Sequence, residues 1–326
     1  MPENLTHKNY SPENHPPDHG ASAPDRPARR RRYARSPSQA VLTPLTPTRV
    51  EMLRFLADLR FLSLPQIARL CCPSSRQDLA EKSARRHMRA LFDTGLVDVL
   101  PVSRAALAPP GTPNGTSLLY GSAPNVYAPT ARGLAALVRA GLIGKEEGGR
   151  SVPTYGPRNS LFLAHELAVR DVRVWLEGAA RSGRHEIERW YDGGAAAIEL
   201  PERQPIRFVR PDCWFVYRMD QVVLVGLVEV DRGTERGDRR WQEKIGAYET
   251  LCSGGALRAA TGYVNARILV VAPNGKRRDQ LAEFILTAGS RVASRFWITE
   301  HTELRVPSLV LPVWRYAGDF TMRPLV

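Results

Sequence analysis

"RPDCWFVYRMDQVVLVGLVEVDRG", residues 210–233, decides how the second half of this chain folds. Cys213 to Tyr217 and Val222 to Val230 are short runs of apolar and β-branched residues, separated by a turn at Met219 to Gln221. That pattern predicts two paired strands. Asp212 precedes the first strand and Glu229 ends the second, so pairing brings these two acids, 17 residues apart, to the same edge of the sheet. Asp231, two residues beyond Glu229, points to the same face because side chains alternate along a strand. Two readings are open. The acids are solvated strand ends, or their mutual repulsion is neutralised by a divalent cation, for which hard carboxylate oxygens select Mg²⁺ or Mn²⁺. Such an ion polarises a phosphodiester and lowers the pKa of an attacking water.

The hairpin lies between helices. Upstream, "NSLFLAHELAVRDVRVWLEGAARSG" predicts a long amphipathic helix with Leu161, Ala168, Val172, Trp175 and Ala179 on one face. His165 and Asp171 fall at the edges of that face, and Glu166 points away. His165 is either a core histidine bonded to a backbone carbonyl or a member of the site. Ile187 to Tyr191 reads as a further strand, as do Ile268 to Val271 and "RFWIT"; "RRWQEKIGAYETL" and "GKRRDQLAEFILTAG" read as the helices between the later strands. A helix, a hairpin-bearing sheet and βα units imply a mixed α/β (α+β) domain.

A different pattern occupies residues 47–142. Thr46 as N-cap, Pro47 at the first helical position, and Val50, Leu53, Leu56 and Leu59 at helical spacing open a first helix. Ser63 caps a second, with Ile67 and Leu70 inward. The third, "EKSARRHMRALFDTGLVDVLPV", buries Ala84, Met88, Leu91 and Phe92, and Gly95 stops it as a C′ glycine does. Leu96 to Val99 and a segment ending "NVYAPT" then form a hairpin around the turn-rich "PPGTPNG", and "ARGLAALVRAG" closes the unit as a helix. Three helices, a hairpin and a helix are the order of a winged helix-turn-helix, with the hairpin tip as the wing. With Met88 inward, Lys82, Ser83 and Arg86 face outward and Arg89 lies at the flank. A recognition helix reads base edges in the major groove from such positions. Arg86 can donate two hydrogen bonds to a guanine, while Lys82 and Arg89 suit phosphates. The competing reading is a solvated helix face in a protein-binding module; the cationic face without compensating acids favours double-stranded DNA.

Charge points the same way. The 326 residues carry 46 Lys and Arg against 33 Asp and Glu, a net +13 that favours a polyanionic partner. Residues 47–150, with 14 basic and 8 acidic groups, are the most basic part for their size. Residues 1–46 lack apolar periodicity, so a disordered tail is expected; its "RRRRYAR" (Arg29 to Arg35) either rests on phosphates or keeps the tail soluble. A linker is expected over 143–158, which leaves 159–326 for the α/β domain. No apolar run approaches the ~20 residues of a membrane helix, and no secretory block opens the chain, so a cytoplasmic location is expected. The four cysteines lack zinc-ligand spacing and read as core thiols. No G-x-x-x-x-G-K loop supports ATP-driven unwinding, and Tyr191, Tyr248 and Tyr263 lack the histidine pair of a covalent relaxase.

The "PD…EVD" arrangement after an amphipathic helix is similar to the PD-(D/E)XK nuclease core. From about residue 47 onward the chain resembles the replication-relaxation family of plasmids and mobile elements. The motifs are "HELAVRDV", "RPD", "EVDRGTE" followed by "KIGAY", and the closing "PVWRY". The resemblance implies a restriction-endonuclease-like domain behind the winged helix, and a role in plasmid replication and relaxation of DNA. It makes Asp212 and Glu229 the metal acids. The lysine expected two positions after the glutamate is Asp231 here, and Lys244 on the following helix is the candidate to replace it, with Tyr248 one turn further along the same face. The candidate site is therefore Asp212, Glu229, Asp231, Lys244 and His165, with Mg²⁺ or Mn²⁺ on the three acids. Two functions follow: a Mg²⁺-dependent DNA nickase or endonuclease, or a non-catalytic DNA-binding replication factor whose nuclease-like domain binds other replication or mobilisation proteins. An RNA-acting nuclease draws on the charge alone.

Overall fold

A computed structural model describes residues 35, 45–100, 102, 125–145, 160–183, 185–200, 208–233, 238–253, 255–305 and 309–326. The basic tail, apart from Arg35, the expected wing tip and most of the expected linker lie outside these residues. Residues from Arg35 onward form one compact unit.

The N-terminal part is built as its caps dictate. α1 (Pro47–Leu59) starts at Thr46, whose hydroxyl accepts from Arg49 N, and buries Met52, Leu53, Leu56 and Leu59. α2 (Leu64–Cys71) follows a two-residue strand, β1 (Leu62–Ser63), that the sequence did not reveal. Gln66 does two jobs at its start: Oε1 accepts from Ser63 N at 2.9 Å and Nε2 donates to Leu167 O at 2.8 Å. α3 (Gln77–Asp93) buries the expected stripe Ala84, Met88, Leu91 and Phe92. It ends in a Schellman motif: Gly95 adopts φ 73°, Gly95 N donates to Phe92 O and Leu96 N to Leu91 O. β2 (Val97–Leu100) pairs antiparallel with β3 (Val126–Pro129), which also pairs with β1. α4 (Ala131–Arg139) begins at Thr130, whose hydroxyl accepts from Gly133 N and donates to Gly95 O, so one side chain locks a helix start to a helix end.

The C-terminal part is mixed α/β. α5 (Ser160–Ser182) leads into β4 (His185–Asp192), then a small ladder of β5 (Ile198–Glu199) and β6 (Phe208–Val209). β7 (Cys213–Met219) and β8 (Val222–Val230) form the expected hairpin, Met219 pairing Val222 across a two-residue turn in which Asp220 takes φ 47°. Gly226 faces Phe215 across this ladder; a Cβ there would stand 2.4 Å from the ring, which is why an apolar strand carries a glycine. α6 (Asp238–Ser253) and α7 (Ala256–Thr261) return the chain to β9 (Arg267–Ala272), parallel to β8. α8 (Gly275–Thr287) leads to β10 (Phe296–Glu300), parallel to β9, and β11 (Trp314–Tyr316) and β12 (Met322–Arg323) finish the edge. The seven-stranded order is β12-β11-β10-β9-β8-β7-β4.

Both faces of this sheet are covered, so β8 is apolar along nearly its whole length. α6 and α8 pack Trp241, Ile245, Leu281 and Ile285 on the side of Val225, Leu227 and Val270. α5 packs Val169, Val172, Trp175 and Ala179 on the side of Phe215, Tyr217 and Val228. The opposite side of α5 is buried too, Leu163 and Leu167 against Phe61, Val126 and Ala128. The expectation that Glu166 points away from the core is therefore corrected. Glu166 is 7% exposed and ion-paired to Arg170 at 3.2 Å, because the helix is sandwiched rather than one-sided. Cys71 and Cys213 are buried and Cys72 and Cys252 half-buried, all free thiols. Among the described residues no helix is long and apolar enough to cross a membrane.

Candidate functional site

The antiparallel ladder of β7 and β8 runs to Cys213 and Val228, which leaves Asp212 beside Glu229 at its end. Asp212 closes the ladder from both its backbone and its side chain. Its N–H donates to Val228 O at 2.9 Å, and its Oδ2 accepts from Val230 N at 2.7 Å. Oδ1 lies 3.0 Å from Nε2 of His165, which reaches over from α5. Burial alone would lower the pKa of that imidazole, but the hydrogen bond and charge of Asp212 outweigh it and hold the pKa above its usual value.

Glu229 is 2% exposed. Its Oε1 accepts from the Tyr248 hydroxyl at 2.6 Å and its Oε2 from Lys244 Nζ at 2.8 Å. Lys244 and Tyr248 stand four residues apart on α6, so one helical face supplies both donors. Burial pushes the Glu229 carboxyl up to about 7; Lys244 opposes the rise and the Asp212 charge adds to it. Burial thus outweighs the Lys244 charge at Glu229, while Asp212 beside it is half-buried. A divalent ion fits that donor chemistry, because Mg²⁺ takes one or two carboxylates and completes its shell with water and phosphate oxygens.

Asp231 does not join them. Its Oδ2 accepts from Arg277 Nε at 2.7 Å and its Oδ1 from Gly233 N at 2.6 Å. Among the described residues no three His, Cys, Asp or Glu side chains gather into a group able to hold a metal ion. The repulsion expected of three acids is relieved by two cations, Lys244 and Arg277, which approach from α6 and α8. Of the five candidates, the structure brings together His165 with Asp212 and Lys244 with Glu229, side by side, and leaves Asp231 on Arg277.

On α3, Lys82 and Arg86 are exposed and Ser83 is half-buried with its hydroxyl against the Cys72 thiol. Arg89 departs from the expectation of an uncompensated face: it pairs with Asp93 at 2.9 Å and lies over the Phe92 ring. That pair was legible as an i, i+4 spacing. Arg85, exposed beside Arg86, belongs to the same cationic surface and was missed. Arg35, the last arginine of the basic cluster, donates to Phe92 O at 3.1 Å and pairs with Asp98.

The fold and site define a mixed α/β protein in which a central hairpin ends in an acid pair, one buried against a lysine and one half-buried against a histidine. It belongs to the replication-relaxation family, whose model matches residues 53–266 and so spans all the residues of the pair and its partners. No curated protein matches the chain. Among solved structures, the restriction endonuclease FokI aligns over 79% of this chain and 42% of its own, at 10% identity and a TM-score of 0.26. This chain thus spans less than half of that enzyme's length, and a superposition so loose carries no argument.

Proposed function

We propose that this protein is a DNA-binding factor of plasmid or mobile-element replication and relaxation that nicks DNA in a Mg²⁺- or Mn²⁺-dependent reaction. Residues 47–142 act as a winged helix on double-stranded DNA and residues 159–326 as a nuclease-like body. The observation that carries the reading is the contact of Lys244 Nζ with Glu229, beside Asp212 at the end of the hairpin. Helix, three antiparallel strands, helix and a parallel strand surround it: α5, β4, β7, β8, α6 and β9, with the β5–β6 ladder between β4 and β7 and α7 before β9.

Asp212 and Glu229 would hold the metal ion, which when bound polarises the phosphodiester and lowers the pKa of the attacking water. The chain's own groups do the rest. His165 fixes the Asp212 carboxylate, and Tyr248 fixes that of Glu229, so neither acid has to be oriented at the moment of reaction. Lys244 holds a positive charge where the phosphate gains negative charge, the part played by a lysine two residues after the glutamate in the resembled core.

The test is supercoiled plasmid incubated with the purified protein and Mg²⁺ or Mn²⁺, followed as conversion to open circles. Asp212→Asn is expected to abolish nicking, and also the rise in melting temperature that the ions give by binding the native state. Plasmid left supercoiled with both ions overturns the nicking reading. The fact that Asp231 stands in the lysine position and is held by Arg277 favours a second reading. In it the body is non-catalytic and binds other replication or mobilisation proteins.

DNA binding is tested separately. Arg86→Ala is expected to lose sequence preference, at a cost of about 1–3 kcal/mol for a bidentate base contact. Lys82→Ala is expected to weaken all duplexes alike and flatten the salt dependence by about one phosphate contact. Gel-shift titration of the double variant checks both; binding equal to the parent's would remove α3 from the interface.

A further inference from the structure

Beside the acid pair lies an open groove of about 500 Å³ between β6, the residues before β7, and α6. Phe208, Arg210, Arg240, Lys244 and Tyr248 line it, and its floor reaches Glu229. Phe208 is 40% exposed, although it sits in the β5–β6 ladder opposite Glu199, where its neighbour Val209 is buried. The Arg210 guanidinium lies 5.4 Å from the centre of its ring. Among the described lining residues, Arg210, Arg240 and Lys244 are basic and Glu229 and Glu243 acidic. Of the two described acids, Glu243 is paired to Arg239 at 3.1 Å and Glu229 to Lys244 at 2.8 Å; Arg210 and Arg240 are exposed, and Arg240 has an interaction of its own.

An exposed ring beside one guanidinium, in a groove with a second at its rim, offers a nucleobase a stacking surface and its phosphate a cation. A base inside a duplex hides both its faces in the stack, so only an unpaired nucleotide can use such a ring. We propose that this groove takes an unpaired DNA nucleotide, its base stacked on Phe208 and its phosphates between Arg210 and Arg240. The strand is thereby led to Glu229 and Lys244. This deepens the nicking reading and rests on it for its purpose: the substrate of the acid pair is a single-stranded segment or a duplex bearing one, held at its paired part by α3. Phe208 is a binding residue, and stacking makes the groove tolerant of base identity.

The experiment compares the full-length protein on a blunt duplex and on the same duplex with a short unpaired tail carrying 2-aminopurine, whose fluorescence falls on stacking. The parent is expected to prefer the tailed DNA by about tenfold, the lower range of one stacked base, and to quench the probe. Phe208→Ala should lose the preference and the quenching with blunt binding unchanged, and Phe208→Trp should keep both. Equal binding of tailed and blunt DNA by the parent overturns the proposal, as does quenching that survives Phe208→Ala. Tail preference and quenching without any plasmid nicking would leave the groove assignment standing and remove the cleavage reading, so the two fail separately.

Discussion

Arg170→Ala is expected to destabilise the folded chain by about 3–5 kcal/mol, the cost of breaking a buried ion pair by removing one partner. Arg170 is fully buried in the middle of α5. Its Nε donates to Leu59 O at 3.0 Å, its Nη2 to Glu166 at 3.2 Å, and its Nη1 lies 3.1 Å from Asp192. The guanidinium also lies over the Phe61 ring. One side chain thus joins the end of α1, the middle of α5 and the end of β4. Without it, Glu166 and Asp192 remain as two acids with one cation, Arg60, at 3.5 and 3.3 Å; Asp192 keeps the Trp190 indole N–H at 3.0 Å, and the Leu59 carbonyl keeps the Phe61 N–H at 2.8 Å but loses its guanidinium donor. Arg60 is 39% exposed, so water screens what it can give back. Urea unfolding of the parent and of Arg170→Ala measures the loss. Replacing the whole group, as Glu166→Gln with Arg170→Met and Asp192→Asn, should cost less than Arg170→Ala alone, because no buried charge is left uncompensated. A loss under about 1 kcal/mol for Arg170→Ala would show that Arg60 and water suffice.

The same residues show where sequence reading works and where it stops. The stripe Ala84, Met88, Leu91 and Phe92 was legible because one face of α3 is buried and a helical period exposes that face; Gly95 marked its end because a Schellman turn needs a positive φ. The β7–β8 hairpin was legible from two apolar runs of strand length, and its ladder brings Asp212 and Glu229 together as pairing requires. α5 defeated the same method. Periodicity assumes one buried face, whereas this helix packs the sheet on one side and Phe61, Val126 and Ala128 on the other. Glu166, outside the apolar stripe, then looks solvated when its partner lies four residues on. β1, β11 and β12 have two or three residues each, too few to carry a period.

The candidate site divides along the same line. Glu229 and Lys244 are 15 residues apart, and a helix directly after the strand returns over its end, so their meeting could be read from order alone. Asp231 meets Arg277 across 46 residues and an intervening strand, and no local pattern encodes that contact. Alternation placed Asp231 on the face of Glu229. It could not say which cation on that face would claim it. Phe208 carried no signal either, since a single aromatic in a two-residue strand has no periodicity to mark it as exposed.

Lys244→Ala separates the two functional readings. In the nicking reading Lys244 offsets charge that appears on the phosphate only as the bond breaks, so its loss is expected to lower the nicking rate by about 10²–10³-fold, as for removal of one preorganised donor. Metal binding should survive, and can tighten. With the ammonium gone, Glu229 keeps only the Tyr248 hydroxyl on Oε1, and Oε2, 2.8 Å from Nζ in the parent, loses its partner. Once ionised, an acid pair left with less positive charge is a better site for a cation, but without Lys244 to lower its pKa Glu229 ionises only at higher pH. Calorimetry with Mg²⁺ and Mn²⁺ at a pH high enough to ionise Glu229 should therefore show affinity equal to or above the parent's, while single-turnover nicking of plasmid collapses. Lys244→Arg should recover part of the rate, because the charge returns on a longer and flatter group. The non-catalytic reading expects neither effect: the parent makes no open circles, so Lys244→Ala has no rate to lose. A parent that nicks and a Lys244→Ala variant that nicks equally well would leave the acid pair in place and take the lysine out of the reaction.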